Sequence, residues 1–235
     1  MSKKKIIGIV GGMGPMATVD LFKMIVENTK ASSDSDHIHI VIDNNTQVPD
    51  RTNAVLFGGD SPIPEIVKSG KALESLGADI LLIPCNTSHY YYDEITAQLS
   101  AYVVNMVEEA VKEVVRMHKS TIGLLATSGT IYGKVYEKYC DKYGINLVPL
   151  TEEQQSIVMD MIYLGVKAGD DHYNISQFQN VVDYLYENGA ELIILGCTEI
   201  LLGCQMYGVQ LREFIEPMKV VSKQAILLAG YEMRN

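Results

Sequence analysis

The chain has 235 residues, 47% of them hydrophobic and 20% charged. That is the balance of an ordinary globular protein with enough core for one large domain or two lobes. A formal net charge of −10 repels nucleic acid and anionic membranes, so an acidic substrate would need a local basic site. No apolar run approaches the ~18 residues that cross a bilayer. Four cysteines are too few for a disulfide scaffold, and none has zinc-site spacing, so no metal site is expected.

The start, Met1-Ser2-Lys3-Lys4-Lys5 before Ile6 and Ile7, imitates a signal peptide, but Gly8, Gly11, Gly12, Gly14 and Pro15 interrupt it. Residues 5–10 read instead as a buried strand entering a glycine turn, and the protein as cytoplasmic. Residues 18–30 carry Val19, Phe22, Ile25 and Val26 at helical spacing. A second strand is expected over 37–42, and Pro49-Asp50-Arg51-Thr52 reads as loop. Residues 64–76 predict a helix stopped by Gly77, and 79–83 an apolar strand of a parallel sheet. Alternating strands and helices argue for an α/β fold.

The second half repeats this order. Gly77-Ala78-Asp79-Ile80-Leu81-Leu82-Ile83-Pro84-Cys85 matches Gly189-Ala190-Glu191-Leu192-Ile193-Ile194-Leu195-Gly196-Cys197, 112 residues further along. Ile7-Gly8 through Gly14 aligns with Ile122-Gly123 through Gly129 at a nearly equal offset of 115. Shared strand composition explains the aliphatic runs but not a cysteine ending both. A duplicated α/β lobe follows, the first over 1–100 plus 212–235 and the second over 101–211. The last segment, with Val220, Val221, Ala225 and Leu228 at helical spacing, is expected to pack back on the first lobe.

Ligands of open parallel sheets bind beyond the carboxyl ends of the strands. Cys85 and Cys197 stand there, before the polar turns Asn86-Thr87-Ser88 and Thr198-Glu199. Two lobes facing each other about an approximate two-fold axis would set these thiols on opposite sides of one cleft. That suits inversion of a stereocentre beside a carboxylate, where one thiolate removes a proton and one thiol returns another. A free thiol titrates near ~8.5, and a helix N-terminus lowers this. Turn N–H groups would hold the carboxylate as charge grows on it. A lone cysteine is more often a small buried hydrophobe, and Cys140 and Cys204 are read that way.

Gly11-Gly12-Met13-Gly14-Pro15, Pro49-Asp50-Arg51-Thr52, Pro84-Cys85-Asn86-Thr87-Ser88-His89 and Leu195-Gly196-Cys197-Thr198-Glu199 together resemble the aspartate/glutamate racemase family, on its aspartate racemase side. The resemblance implies two pseudo-symmetric Rossmann-like lobes, each with a mainly parallel sheet flanked by helices, and an active site in the cleft. It implies two-base racemisation without a cofactor, most often by a homodimer, with Cys85 and Cys197 as the catalytic pair. Asn86, Thr87 and Thr198 are implied as ligands of the substrate α-carboxylate, and Arg51 and Lys167 as basic residues near its side-chain carboxylate. Met13, Thr127, Ser128 and Thr130 would line the pocket. His89, one helical turn after Cys85, would polarise it or serve as a backbone-bonded structural histidine. Glu199 would tune Cys197 or cap the following helix. The implied substrate is an acidic amino acid, most simply aspartate, with glutamate or a broader range as alternatives.

Three rival readings remain. Gly12-Met13-Gly14-Pro15-Met16-Ala17 fits the G-x-G-x-x-A dinucleotide pattern, although Pro15 removes a donor and Asp43 lies late for the ribose acid. Related folds with cysteines at these positions decarboxylate malonates, isomerise maleate or racemise hydantoins. A redox Cys85–Cys197 pair would require Cα atoms within ~7 Å.

Overall fold

The computed structural model describes residues 4–234, so Met1, Ser2 and Lys3 of the signal-like start lie outside the described residues, as does Asn235. Two compact units divide the chain: residues 1–109 with 218–235, and residues 110–217. The first unit contains β1 (Ile7–Gly11), α1 (Pro15–Asn28), β2 (Ile40–Asn44), α2 (Arg51–Phe57), α3 (Ile63–Ser75), β3 (Ile80–Leu82), α4 (Tyr92–Thr96) and β4 (Tyr102–Val103). The chain enters the second unit within α5 (Met106–Arg116). There follow β5 (Thr121–Ala126), α6 (Ser128–Tyr132), α7 (Glu137–Tyr143), β6 (Asn146–Leu147), α8 (Glu152–Asp160), a π-helical turn over Met161–Val166, α9 (Ser176–Glu187), β7 (Leu192–Gly196), α10 (Thr198–Tyr207) and β8 (Phe214–Ile215). The final helix, α11 (Pro217–Leu228), belongs almost entirely to the first unit.

Each unit is an all-parallel four-stranded sheet flanked by helices, ordered β2-β1-β3-β4 in the first and β6-β5-β7-β8 in the second. The two orders are the same topology, and the repeat extends to single hydrogen bonds. Ile7 pairs with Ile80 in one sheet as Ile122 pairs with Leu192 in the other. Gly77 and Gly189, at φ 91° and 97°, end α3 and α9 in the left-handed region where a side chain would be strained. Asp79 Oδ2 accepts the Ile6 N–H at 2.9 Å, and Glu191 Oε1 accepts the Ser120 and Thr121 N–H groups at 2.8 and 3.2 Å. Each acid closes the entry to the neighbouring strand, so the duplication includes the polar frame as well as the aliphatic runs.

Side chains alternate across each strand, and the cores follow that period. Ile7, Ile9, Ile80 and Leu82 pack against Leu21 and Ile25 of α1 and against Val221, Ala225 and Ile226 of α11. Val10, Leu81 and Ile83 point to the other face and meet Ile66, Val67 and Leu73 of α3. In the second unit Leu125, Ile193 and Leu195 pack on Val158, Phe178, Val182 and Leu185. Each such fully buried aliphatic side chain contributes ~1.5–3 kcal/mol.

Three sequence expectations change. The second strand, expected over 37–42, runs over Ile40–Asn44, because His37 still closes the 3-10 turn Asp34–Asp36. The buried face of α1 is Ala17, Thr18, Leu21 and Ile25, whereas Val19 and Phe22 are 53% and 40% exposed. Thr18 turns inward because its hydroxyl accepts the Gly12 N–H at 3.0 Å and donates to Gly14 O at 3.4 Å, closing the glycine turn. Pro49-Asp50-Arg51-Thr52 is not simply loop: Asp50 caps α2, its carboxylate accepting the Asn53 N–H at 2.7 Å, and Arg51 is the first helical residue.

Candidate active site

In the first unit the carboxyl ends of β1, β2 and β3 lie side by side, because these strands are neighbours in the sheet. After β3 the chain turns sharply, with the Cys85 N–H bonding Ile83 O at 2.8 Å, and then winds into a 3-10 turn over Thr87–Tyr91. Cys85, Asn86, Thr87, Ser88 and His89 are all buried. Cys85 shares an apolar cluster with Met13, which follows β1, and Ser88 Oγ lies 3.4 Å from Met13 Sδ. Helix α2 packs on the 3-10 turn, and the Arg51 guanidinium at its head donates to Val48 O and Pro49 O at 3.3 and 3.1 Å. Met13, Arg51, Cys85, Asn86, Thr87 and His89 therefore belong to one cluster of loops.

His89 has a structural job. Its Nε2 accepts the Met106 N–H at 3.1 Å, which leaves Nδ1 to donate to Cys85 O at 2.9 Å. The ring holds the carbonyl of Cys85, not its thiol. Burial pushes the imidazole down to about 4, so it stays neutral. Gly12 has φ 92° and lies against the Asn45 backbone, and its N–H is already taken by Thr18. The first donor of the apparent dinucleotide turn is thus committed internally.

The second unit repeats the arrangement with different chemistry. Ala126 of β5 pairs with Gly196 of β7, so the Thr127–Thr130 turn and Cys197 emerge from adjacent strand ends. Thr127 caps α6 by accepting the Thr130 N–H at 3.3 Å. Cys197 is extended at φ −148° and forms the N-cap of α10, with Thr198 and Glu199 in its first turn. The Cys197 thiol donates to Glu199 Oε2 at 2.9 Å, and Thr198 Oγ1 donates to the same oxygen at 2.9 Å. Lys167 Nζ lies 3.7 Å from Glu199 Oε1 and 4.3 Å from the Tyr163 ring centroid.

These contacts set the charges. Burial would raise the Glu199 carboxyl, but the Cys197 bond, the Lys167 ammonium and Thr198 outweigh it and hold the group below the usual carboxylate range. Burial and the facing Glu199 carboxylate push the Cys197 thiol well above its ordinary value. The helix N-terminus was expected to lower this thiol; at Cys197 the neighbouring anion and the lost hydration win. Burial of Cys140 and Cys204 pushes both thiols to about 12, consistent with packing roles.

Gln155 and Met159 support this cluster and are silent in the motif reading. Gln155 Nε2 donates to Ala126 O at 3.0 Å and to Ser128 Oγ at 3.4 Å, and Met159 Sδ stands 3.1 Å from the Ser128 N–H. The signal for Gln155 is its place on the apolar stripe with Val158 and Ile162, where a buried amide needs bonding partners. Among the described residues no group of three or more His, Cys, Asp or Glu side chains could hold a metal ion. Nor is any helix there long and apolar enough to cross a membrane.

Each half is thus a parallel α/β unit with a cysteine just beyond the equivalent strand, and comparison with known proteins supplies the class. The family model for Asp/Glu/hydantoin racemases matches residues 10–225. The chain belongs to that family, and its activity is that of an isomerase. The broad-specificity amino-acid racemase RacX of Bacillus subtilis is 29% identical over 207 residues, covering 83% of this chain and 85% of that one. The structure of the Picrophilus torridus aspartate racemase superposes with a TM-score of 0.84 at 29% identity, covering 98% and 96% of the two chains. A glutamate racemase of Aquifex aeolicus is 28% identical over 165 residues, 63% of this chain and 56% of its own.

Proposed function

We propose that the protein racemises an acidic amino acid, aspartate first, by a two-base reaction in which Cys85 and Cys197 each serve one face of the substrate α-carbon. The observation that carries the reading is the placement of one free thiol at the equivalent strand end of each duplicated sheet. The Cys197 bond to Glu199 gives the pair its direction. A thiol that donates to a carboxylate keeps its proton, so Cys197 rests as the acid. In the first half-reaction Cys85, as thiolate, takes the α-proton while Cys197 delivers its own to the opposite face. Cys85 then holds the proton and Cys197 the charge. After the product leaves, Cys85 gives a proton to solvent and Cys197 takes one back, so the pair is reset with no net proton consumed.

Removing the α-proton drives charge into the substrate carboxylate. The first N–H groups of α10, with Thr198, Asn86 and Thr87, are suited to receive it, since donors aimed at developing charge lower the barrier. Arg51 and Lys167 are assigned to the side-chain carboxylate, and Met13, Thr127, Ser128 and Thr130 to the pocket wall. Aspartate is put first because of the full-length similarity to an aspartate racemase. The comparable similarity to RacX favours broad specificity as a second reading. The four free thiols suit a reducing, cytoplasmic setting, and a homodimer is proposed, to be checked by light scattering.

The test is incubation of L-aspartate, L-glutamate and neutral L-amino acids in D₂O without pyridoxal phosphate, read by NMR at Cα. Deuterium in aspartate with appearance of the D-enantiomer is expected. Equal exchange in neutral amino acids would favour the broad-specificity reading, and no exchange in any substrate would refute racemisation.

A further inference from the structure

The second unit holds a cavity of about 270 Å³ whose lining includes neither Cys197 nor residues 127–130. Its walls are apolar, formed by Leu124 of β5, Ile131 of α6, and Leu147 and Val148 at the end of β6. Three side chains that carry acceptor oxygens, Glu137, Glu152 and Gln155, are also among its lining residues. Gln155 Oε1 and Glu137 Oε2 are buried and have no hydrogen-bond partner among the described residues.

Gln155 is only 3% exposed, and its orientation is fixed. Its amide nitrogen bonds Ala126 O and Ser128 Oγ, so the amide cannot turn to hide its oxygen without losing both contacts. Burial raises the Glu137 carboxyl more than its own backbone N–H and the Lys134 ammonium lower it. A buried acceptor left unmade is costly, and a pocket of apolar walls with a few polar groups is the usual form of a small-molecule site. The missing complement is a donor, best a cation, attached to an apolar body. An amino acid fits poorly, because Glu137 and Glu152 among the lining residues would repel its carboxylate.

We propose that this cavity is a second ligand site, selective for a small apolar molecule that carries a primary ammonium group and no carboxylate. Gln155 then joins the two places, bonding Ser128 Oγ of the Thr127–Thr130 turn while lining the cavity.

The probes are benzylamine, which is cationic at neutral pH, benzyl alcohol as a neutral molecule of the same shape, and L-aspartate as competitor. Binding is read by calorimetry and ligand-observed NMR, so the result does not depend on racemisation. Benzylamine should bind about tenfold or more tighter than benzyl alcohol, as expected for a charge-assisted bond. Glu137→Gln should bring the amine down to the level of the alcohol. Leu147→Trp should fill the cavity and abolish binding of both, with Ile131→Phe as a second filling variant should the first not fold. Saturating L-aspartate should leave benzylamine binding unchanged. Absence of benzylamine binding, equal binding by a folded filling variant, displacement by aspartate, or an unchanged preference in Glu137→Gln would each overturn the proposal.

Discussion

Cys197 Sγ lies 2.9 Å from Glu199 Oε2, in a bond that only a protonated thiol can donate. The carboxylate is held below its usual range while the thiol is driven above its own, so the pair stores one proton on sulfur. Of the two roles the sequence left open for Glu199, tuning Cys197 or capping the following helix, this bond supports the first, and in the proposed mechanism it makes Cys197 the acid.

Glu199→Gln removes the anion that raises Cys197 but keeps the size of the side chain. The midpoint for alkylation of Cys197, followed by residue-specific mass spectrometry across pH, should fall by about one pH unit or more. The alkaline limb of kcat should move the same way. A midpoint that stays put or rises would show that burial alone sets the thiol.

His89 predicts an acid limb in stability. Its folded-state pKa is depressed to about 4, against ~6.5 for a free imidazole, so the unfolded chain binds the extra proton first. The contribution is fully present above pH ~6.5 and is lost as pH falls through about 4. It amounts to on the order of 3 kcal/mol. His89→Leu should be less stable than wild type at pH 7, because Met106 N–H and Cys85 O lose their partner, yet show a flatter decline towards pH 4 in denaturant unfolding. Parallel acid limbs in the two proteins would refute the assignment.

Much of this was legible in the chain. The repeats ending in Cys85 and Cys197 predict two sheets, and the observed registers pair Ile7 with Ile80 and Ile122 with Leu192 as that alignment requires. The apolar face of α1 was misread because two stripes are available there, and only the Thr18 hydroxyl bonds decide between them. Asp50 before Arg51, with Gly58 at φ 65° after Phe57, carries a readable cap and stop that the Pro49 turn signal masked. The role of His89 was not readable, since a four-residue spacing cannot tell a thiol partner from a carbonyl partner. Gln155 was missed for a similar reason: its partners, Ala126 O and Ser128 Oγ, lie 29 and 27 residues away.

The two basic residues should separate by experiment. Arg51→Leu is expected to raise KM for aspartate about tenfold or more, as for loss of a hydrogen bond to a charged group, and to leave neutral amino acids unaffected. Lys167→Met should raise KM as well, and should also shift the pH profile, because Lys167 acts on both Glu199 and Cys197. Without the ammonium both groups titrate higher. An unchanged substrate profile in Arg51→Leu, or an unchanged pH profile in Lys167→Met, would contradict these roles.

The most direct test of the account is racemisation by the two single variants, Cys85→Ser and Cys197→Ser, each confirmed as folded by circular dichroism. Interconversion of L- and D-aspartate is followed by chiral chromatography, starting from each enantiomer. If one thiol serves each face, both variants lose interconversion by about 100-fold or more in both directions. Near wild-type racemisation by either variant would show that a single base suffices and would contradict the two-thiol mechanism.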